Sequence, residues 1–265
     1  MARTINIPAE QSIAHFREHG WMRVPQAFDA TTMRDAVWNA LAKVGIRRDQ
    51  PSTWTTERPV HLQHLKSDPV FRAVGAKPLR AAIDTVLGGV PYETPENWGA
   101  FFIAFPSDTA WGVPTSGWHI DANYLGPLWP AGGVKTHALL GDVAPRGGGT
   151  QIISGSHRLV HQWFKDSLPP SGARGAELRK CLRAHPYIRD LHASGDRDER
   201  IARFMGRADE VAGVPLQVIE NTGAAGDVIL LHPLVLHVAA PNNSAEPRLL
   251  LSGGVTTDMW GWGTS

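Results

Sequence analysis

The chain of 265 residues has a single cysteine, Cys181, and this scarcity excludes several kinds of protein. One cysteine cannot form an internal disulfide, and it cannot supply a cluster of thiolate metal ligands. The N-terminal residues also contain no apolar signal segment. Together these absences predict a protein of the reducing cytoplasm.

Long apolar runs and an excess of one charge are missing as well. No stretch approaches the roughly 18 apolar residues that a membrane helix needs, so no membrane partner is expected. The formal net charge is +1, from 26 basic and 25 acidic residues. This balance gives no electrostatic reason to expect nucleic acid as a partner, and no obligate protein partner is indicated.

The N-terminal third of the chain has the apolar spacing of short helices. Helical periodicity predicts helices over 8–19 and 78–87, and a third that begins near Thr31. A short strand is predicted at Trp21–Val24. Hydrophobic residues make up 42% of the chain and charged residues 19%, which is an ordinary globular balance.

The remainder of the chain is rich in short apolar segments separated by Gly and Pro. Strands are predicted at 98–105, 116–121, 134–143, 149–153, 215–220, 226–231, 234–239 and 247–256. Many short strands preceded by helices favour a mainly β protein with flanking helices. Specifically, they favour a helix-buttressed jelly roll over alternating βαβ units.

One segment differs in texture from the strands around it. Residues 158–210 carry 11 basic and 8 acidic residues, and we interpret them as a partly helical substrate cover; a solvated surface insertion is the alternative. We therefore predict one domain over 1–265. A helical buttress would span about 1–95, and the β core about 96–157 and 211–258.

The pair His119 and Asp121 is the strongest chemical motif. On a strand, residues at i and i+2 point to the same face, so an imidazole nitrogen and a carboxylate oxygen could bind one metal ion. Alone the pair is also compatible with a polar strand edge. His237 is the best third ligand, and His232 is the next candidate. Two histidines and one carboxylate form the facial triad of non-haem Fe(II) oxygenases.

Arg248 is the second unusual feature, because it leads directly into the apolar run Leu249–Leu251. An arginine inside an apolar barrel is costly unless a carboxylate pairs with it. A bound dicarboxylate would supply that partner. The alternative is a solvated arginine that precedes its strand.

With these residues the chain resembles the phytanoyl-CoA dioxygenase family of Fe(II)/2-oxoglutarate oxygenases. The resemblance covers most of the chain and depends on an ordered set of motifs. They are Phe16–Trp21, Trp118–Asp121, Gly147–Thr150, Gly155–Arg158, Gly226–Val228, His237 with Pro241 and Asn242, and Arg248.

The resemblance implies a double-stranded β-helix, a jelly roll of the cupin-like kind. It implies that His119, Asp121 and His237 bind iron, and that Arg248 binds the distal carboxylate of 2-oxoglutarate. His137 stands where family members often have an aromatic residue beside the cosubstrate. Thr150 belongs to a motif of the same cosubstrate pocket.

The implied activity is that of an Fe(II)- and 2-oxoglutarate-dependent dioxygenase that uses O₂. It would oxidise a small molecule, most simply by hydroxylation, with succinate and CO₂ as co-products. Desaturation, ring formation and epimerisation stay open. Two other readings also stay open, a cupin-type metalloenzyme without 2-oxoglutarate and a catalytically silent binding protein.

Aromatic and polar residues near the motifs are candidates for the substrate pocket. A ring-containing or largely apolar substrate would suit them. The candidates are Trp98, Phe102, Asn123, Tyr124 and Trp129.

Overall fold

The computed structural model describes residues 9–54, 61–122, 128–168 and 176–258. Two antiparallel sheets face each other, and helices cover their outer faces. This is a mainly β double-stranded β-helix with flanking helices, as predicted. No helix within the described ranges is long and apolar enough to cross a membrane.

Within the described ranges, the larger sheet has five strands in the order β1-β7-β3-β9-β2, and the smaller sheet has four in the order β5-β6-β4-β8. The strands are β1 (Trp21–Val24), β2 (Ala100–Ala104), β3 (Gly133–Leu139), β4 (Gln151–Ser154), β5 (Asp209–Val211), β6 (Val214–Glu220), β7 (Val228–Leu231), β8 (His237–Val238) and β9 (Arg248–Thr256). The predicted strand at 116–121 is wrong. In its place a single bridge pairs His119 with His237.

The N-terminal helices cover the outer face of the larger sheet, and all three were predicted. They are α1 (Ala9–His19), α2 (Thr31–Ala42) and α3 (Lys77–Val86), with 3₁₀ helices at Pro51–Thr53, His61–Ser67 and Pro69–Gly75. Leu79 and Ile83 of α3 are fully buried in a core shared with Val134 and Leu251 of the sheet. Burial of one such side chain stabilises the fold by roughly 1.5–3 kcal/mol.

The segment 158–210 contributes a second helical layer, on the outer face of the smaller sheet. Its helices are α4 (Ser156–Ser167), α5 (Ala176–Ala184), α6 (Pro186–His192) and α7 (Arg197–Phe204). Phe164, Leu191 and Phe204 are buried in one core with Leu216 and Val218 of β6. These helices are therefore packed on the barrel wall.

Gly20 joins α1 to the barrel at a place where no side chain fits. It adopts a positive φ of 78°, and its carbonyl accepts a hydrogen bond from His232 N at 2.8 Å. A Cβ atom there would lie 2.5 Å from His157 Nδ1. Only glycine meets both the backbone and the space requirement.

Candidate metal centre

Backbone hydrogen bonds bring the three candidate metal ligands together. His119 N donates to His237 O at 3.1 Å, and His237 N donates to His119 O at 3.0 Å. Asp121 N donates to Pro233 O at 3.2 Å. Because His237 also pairs with Ile152 of β4, the smaller sheet fixes the whole group.

The ligand atoms of His119, Asp121 and His237 lie within 4.8 Å of one another. His237 Nε2 is 3.5 Å from one Asp121 oxygen, and His119 Nε2 is 4.0 Å from the other. Two nitrogens and one oxygen at these separations could hold one ion of the non-haem iron type.

Backbone carbonyl groups orient both imidazole rings. His119 Nδ1 lies 2.8 Å from Gly117 O, and His237 Nδ1 lies 3.0 Å from Val235 O. Since a carbonyl can only accept, each Nδ1 carries a proton, and in the neutral ring it is Nε2 that keeps the lone pair. Such contacts fix the tautomer that a metal requires.

The electrostatics of the centre also favour a neutral histidine beside a carboxylate. Burial lowers the pKa of His237 to about 4, although the Asp121 charge opposes this shift. Burial raises the pKa of Asp121, but its interactions with His237, which is protonated only at low pH, and with Lys135 hold that pKa below its ordinary value. Asp121 is therefore ionised near neutral pH, as a metal ligand must be.

Lys135 is a part of this centre that sequence reasoning missed. Its Nζ lies 2.5 Å from Asp121 Oδ2, and the two side chains are only 19% and 18% exposed. A lysine within a strand is ordinarily taken for a solvent-facing residue, so nothing in the sequence indicated that Lys135 contacts Asp121.

Ser156 has a structural role close to His237. Its hydroxyl donates to Ile153 O at 2.6 Å and accepts from Leu236 N at 3.0 Å. The turn at Gly155–His157 thereby holds Leu236, the residue that precedes His237.

A cavity of about 900 Å³ connects the metal centre to Arg248, since both His119 and Arg248 line it. Arg248 begins β9, opposite Ala104 of β2, and is only 5% exposed. Its Nη1 donates to Gly148 O at 2.8 Å. Arg248 is therefore a buried, oriented cation in the cavity that reaches the metal site.

His137 lies on the inner face of β3, opposite Ser252 of β9. Its ring centre is 6.1 Å from that of His237. Burial holds its pKa well below the ordinary value, and its buried Nδ1 has no hydrogen-bond partner among the described residues. Thr150 is buried beside Asn221, whose N donates to its carbonyl at 2.9 Å, and lies outside the described lining of the cavity.

The candidate substrate residues fall in different places. Phe102 lines the cavity and is 51% exposed, whereas Trp98 is buried in the outer core against Gly75. Residues four apart share one face of a regular strand, but Gly99 has a positive φ of 120° that interrupts the alternation. Trp98 therefore points away from the cavity.

The remaining candidates are Trp129 and two residues outside the described ranges. Trp129 is half-buried, and the Arg17 guanidinium lies 4.0 Å above its ring. Trp129 lies outside the described cavity lining. Asn123 and Tyr124 lie outside the described residues.

One class of enzyme combines two facing sheets with a centre of two histidines and one carboxylate and a buried arginine in the same cavity. It is that of the non-haem iron, 2-oxoglutarate-dependent oxygenases. Residues 16–250 match the family described as phytanoyl-CoA dioxygenase (PhyH). The chain belongs to this family, as its motifs indicated.

Solved structures share the fold at low sequence identity. SnoN, a non-haem alpha ketoglutarate dependent epimerase from nogalamycin biosynthesis, is 17% identical with a TM-score of 0.55, over 97% of this chain and 87% of that chain. AviO1 from Streptomyces viridochromogenes Tue57 is 18% identical with a TM-score of 0.52, over 97% and 99%.

EctD from S. alaskensis, solved with 2-oxoglutarate and 5-hydroxyectoine, is 16% identical with a TM-score of 0.52, over 97% of this chain and 78% of that chain. At these identities the likeness concerns the fold. No curated protein sequence matches the chain significantly.

Proposed function

We propose that this protein uses Fe(II), 2-oxoglutarate and O₂ to hydroxylate a small molecule. The observation that carries the proposal is the single cavity lined by both His119 and Arg248. One end of it offers the metal-binding group and the other offers a buried cation. A dicarboxylate that binds metal through one end matches this arrangement.

The residues present fit both the iron and the cosubstrate. The donor set of His119, Asp121 and His237 is that of non-haem iron, and the carbonyl contacts of both Nδ1 atoms leave the two Nε2 atoms to bind it. Bound iron with 2-oxoglutarate supplies the oxidative chemistry, in which O₂ is activated, succinate and CO₂ are released, and a substrate C–H bond is oxidised. The protein supplies binding, orientation and exclusion of water.

Arg248 is the proposed anchor of the distal carboxylate. A guanidinium can form two parallel hydrogen bonds with a carboxylate, which fixes the direction as well as the affinity. The bond from Arg248 to Gly148 O holds the side chain in place before the cosubstrate arrives.

His137 is a proposed cosubstrate contact. It is the inner-face residue of β3 opposite Ser252, and Ser252 lies four residues from Arg248 on β9. This register, with 6.1 Å between the ring centres of His137 and His237, supports a position between Arg248 and the metal centre. Its unpartnered Nδ1 could bond a carboxylate oxygen. Thr150 stays a predicted member of the pocket.

The substrate is proposed to be a small molecule with a ring or a large apolar part. The exposed ring of Phe102 at the cavity wall supports this, because exposed aromatic surface in a cavity favours apolar contact. SnoN acts in nogalamycin biosynthesis and EctD was solved with 5-hydroxyectoine; both names concern small molecules. Gly195, Arg197 and Arg200 of the insertion also line the cavity, which supports its role as a cover.

Succinate formation from 2-oxoglutarate tests the proposal. The purified protein with Fe(II) and O₂ should release succinate, and His237→Ala should abolish both Fe(II) binding and succinate release. Because His237 contributes one of three ligands and the two cores do not depend on it, circular dichroism should remain that of a folded protein. His64→Ala, at an exposed histidine of the 3₁₀ helix His61–Ser67, serves as the matched control. Succinate release that survives in His237→Ala would refute the assignment.

A further inference from the structure

Lys135 contacts the metal centre from the inner face of β3. Its Nζ is 2.5 Å from Asp121 Oδ2, and the lysine side chain is 19% exposed. Placing an ammonium group inside the barrel costs free energy unless a partner compensates it. The Asp121 carboxylate is that partner.

Lys135 and Arg248 occupy well-separated positions along the larger sheet. Lys135 pairs with Gly254 on β9, six residues beyond Arg248, which is roughly 20 Å along the strand. Gly254 carries no side chain, so nothing from the facing residue of β9 competes with Lys135 for Asp121.

We propose that Lys135 is a positioning residue of the metal centre, which holds one carboxylate oxygen of Asp121 so that the other faces the metal. The proposal rests on the proposed function, because it assigns a role towards the bound metal. Both oxygens of Asp121 face ligand nitrogens, since Oδ2 lies 3.5 Å from His237 Nε2 and Oδ1 lies 4.0 Å from His119 Nε2. Because Lys135 engages Oδ2, Oδ1 is the oxygen left for the metal.

The consequence concerns the number of open coordination positions. A carboxylate can bind a metal through one oxygen or through both. A facial triad leaves three positions for cosubstrate and O₂ only if each ligand occupies one. By engaging Oδ2, Lys135 prevents Asp121 from taking a fourth position.

Cobalt substitution tests this role in the wild-type protein and in three variants. Lys135→Met removes the contact at nearly constant length, Lys135→Arg retains it, and Lys165→Met removes an exposed lysine of α4 as a control. Each protein is loaded with Co(II). Its visible absorption, which responds to coordination number, is recorded before and during titration with 2-oxoglutarate.

We expect Lys135→Met to change the Co(II) spectrum and to weaken 2-oxoglutarate binding by about tenfold or more, a typical effect of losing such an outer contact. Lys135→Arg and Lys165→Met should keep the wild-type spectrum and affinity within about threefold. A Lys135→Met protein with the wild-type spectrum would overturn the proposal. In that case any change in affinity would come from the lost charge alone.

A crystal structure of the wild-type protein with Mn(II) covers the case in which Lys135→Met does not fold. The proposal expects Lys135 Nζ to bond the Asp121 oxygen that does not bind Mn(II). A lysine turned away from a singly bound Asp121 overturns it. Failure of the wild-type protein to bind Co(II) or Mn(II) would instead contradict the proposed function itself.

Discussion

At the scale of single residues, the site combines groups that are costly to bury with partners that compensate them. Arg248 is 5% exposed and donates to Gly148 O, while Lys135 pairs with Asp121. The side chain of each cation is therefore oriented before any ligand binds. Such preorganisation lowers the entropic cost of binding.

Replacing Arg248 tests the cosubstrate site. Charge-assisted hydrogen bonds contribute roughly 1.5–3 kcal/mol each, and about 1.4 kcal/mol corresponds to a tenfold change in affinity. Arg248→Ala should therefore raise the KM for 2-oxoglutarate at least about tenfold, measured by succinate release. Arg248→Lys should recover only part of the loss, because lysine cannot form the paired contact. Turnover independent of 2-oxoglutarate would favour a cupin-type metalloenzyme.

At the scale of elements, the connections between helices and barrel set the stability. His157 on α4 donates from Nε2 to Arg17 O on α1 at 3.0 Å. Its ring centre lies 5.1 Å from that of His232. Burial lowers the pKa of His157 to about 4, against an ordinary value of 6.5. The fold therefore keeps this histidine neutral.

This difference predicts how stability depends on pH. The unfolded chain protonates His157 below about pH 6.5 while the folded protein does not until about pH 4, so the stabilisation is present above 6.5 and lost as the pH falls towards 4. Between pH 7 and 5 the wild type should lose about 2 kcal/mol more unfolding free energy than His157→Gln. Urea denaturation at both values measures this. Equal losses would contradict it, because other buried histidines are common to both proteins.

Arg200 connects the helical insertion to the cavity wall. It is 8% exposed, and its guanidinium donates to Leu191 O and Ala193 O at 2.7 Å and to Val113 O at 3.4 Å. Because buried carbonyl groups would lose their donor, Arg200→Met should lower the unfolding free energy by about 3 kcal/mol. Arg203 on the same helix forms an exposed ion pair with Asp190.

Arg203→Met is the matched control for that experiment. Loss of an exposed ion pair should cost under about 1 kcal/mol. Urea denaturation of both variants compares them directly. Similar losses in the two variants would show that Arg200 is not a specific connection.

Elements that are determined by a local sequence pattern could be predicted, whereas those that depend on tertiary contacts could not. The helices α1, α2 and α3 carry periodic apolar residues, so they could be predicted. Residues 116–121 do not form a strand, because only His119 forms a β-bridge, with His237. Trp98 was predicted to line the substrate pocket, but the positive φ of Gly99 turns its side chain towards the outer core instead. Lys135 could not be predicted, because its role depends on a residue that only the fold brings near.

At the scale of the whole molecule, two sheets hold the ligand residues between two helical layers. The two cores between the sheets and the helical layers contain most of the buried hydrophobic residues. The inner faces of the sheets can therefore carry polar groups. The three ligand residues converge at one point, and only the closed barrel brings His119 of this group and Arg248 to one cavity. The central claim is that this cavity binds Fe(II) and 2-oxoglutarate together.

Anaerobic titration of the Fe(II)-loaded protein with 2-oxoglutarate tests that claim without any knowledge of the substrate. Chelation of iron by a 2-oxo acid produces a visible charge-transfer absorption. The account predicts a band that saturates at one equivalent, is absent in His237→Ala, and requires at least about tenfold more 2-oxoglutarate in Arg248→Ala. Fe(II) binding without such a band, and without 2-oxoglutarate binding by calorimetry, would contradict the account.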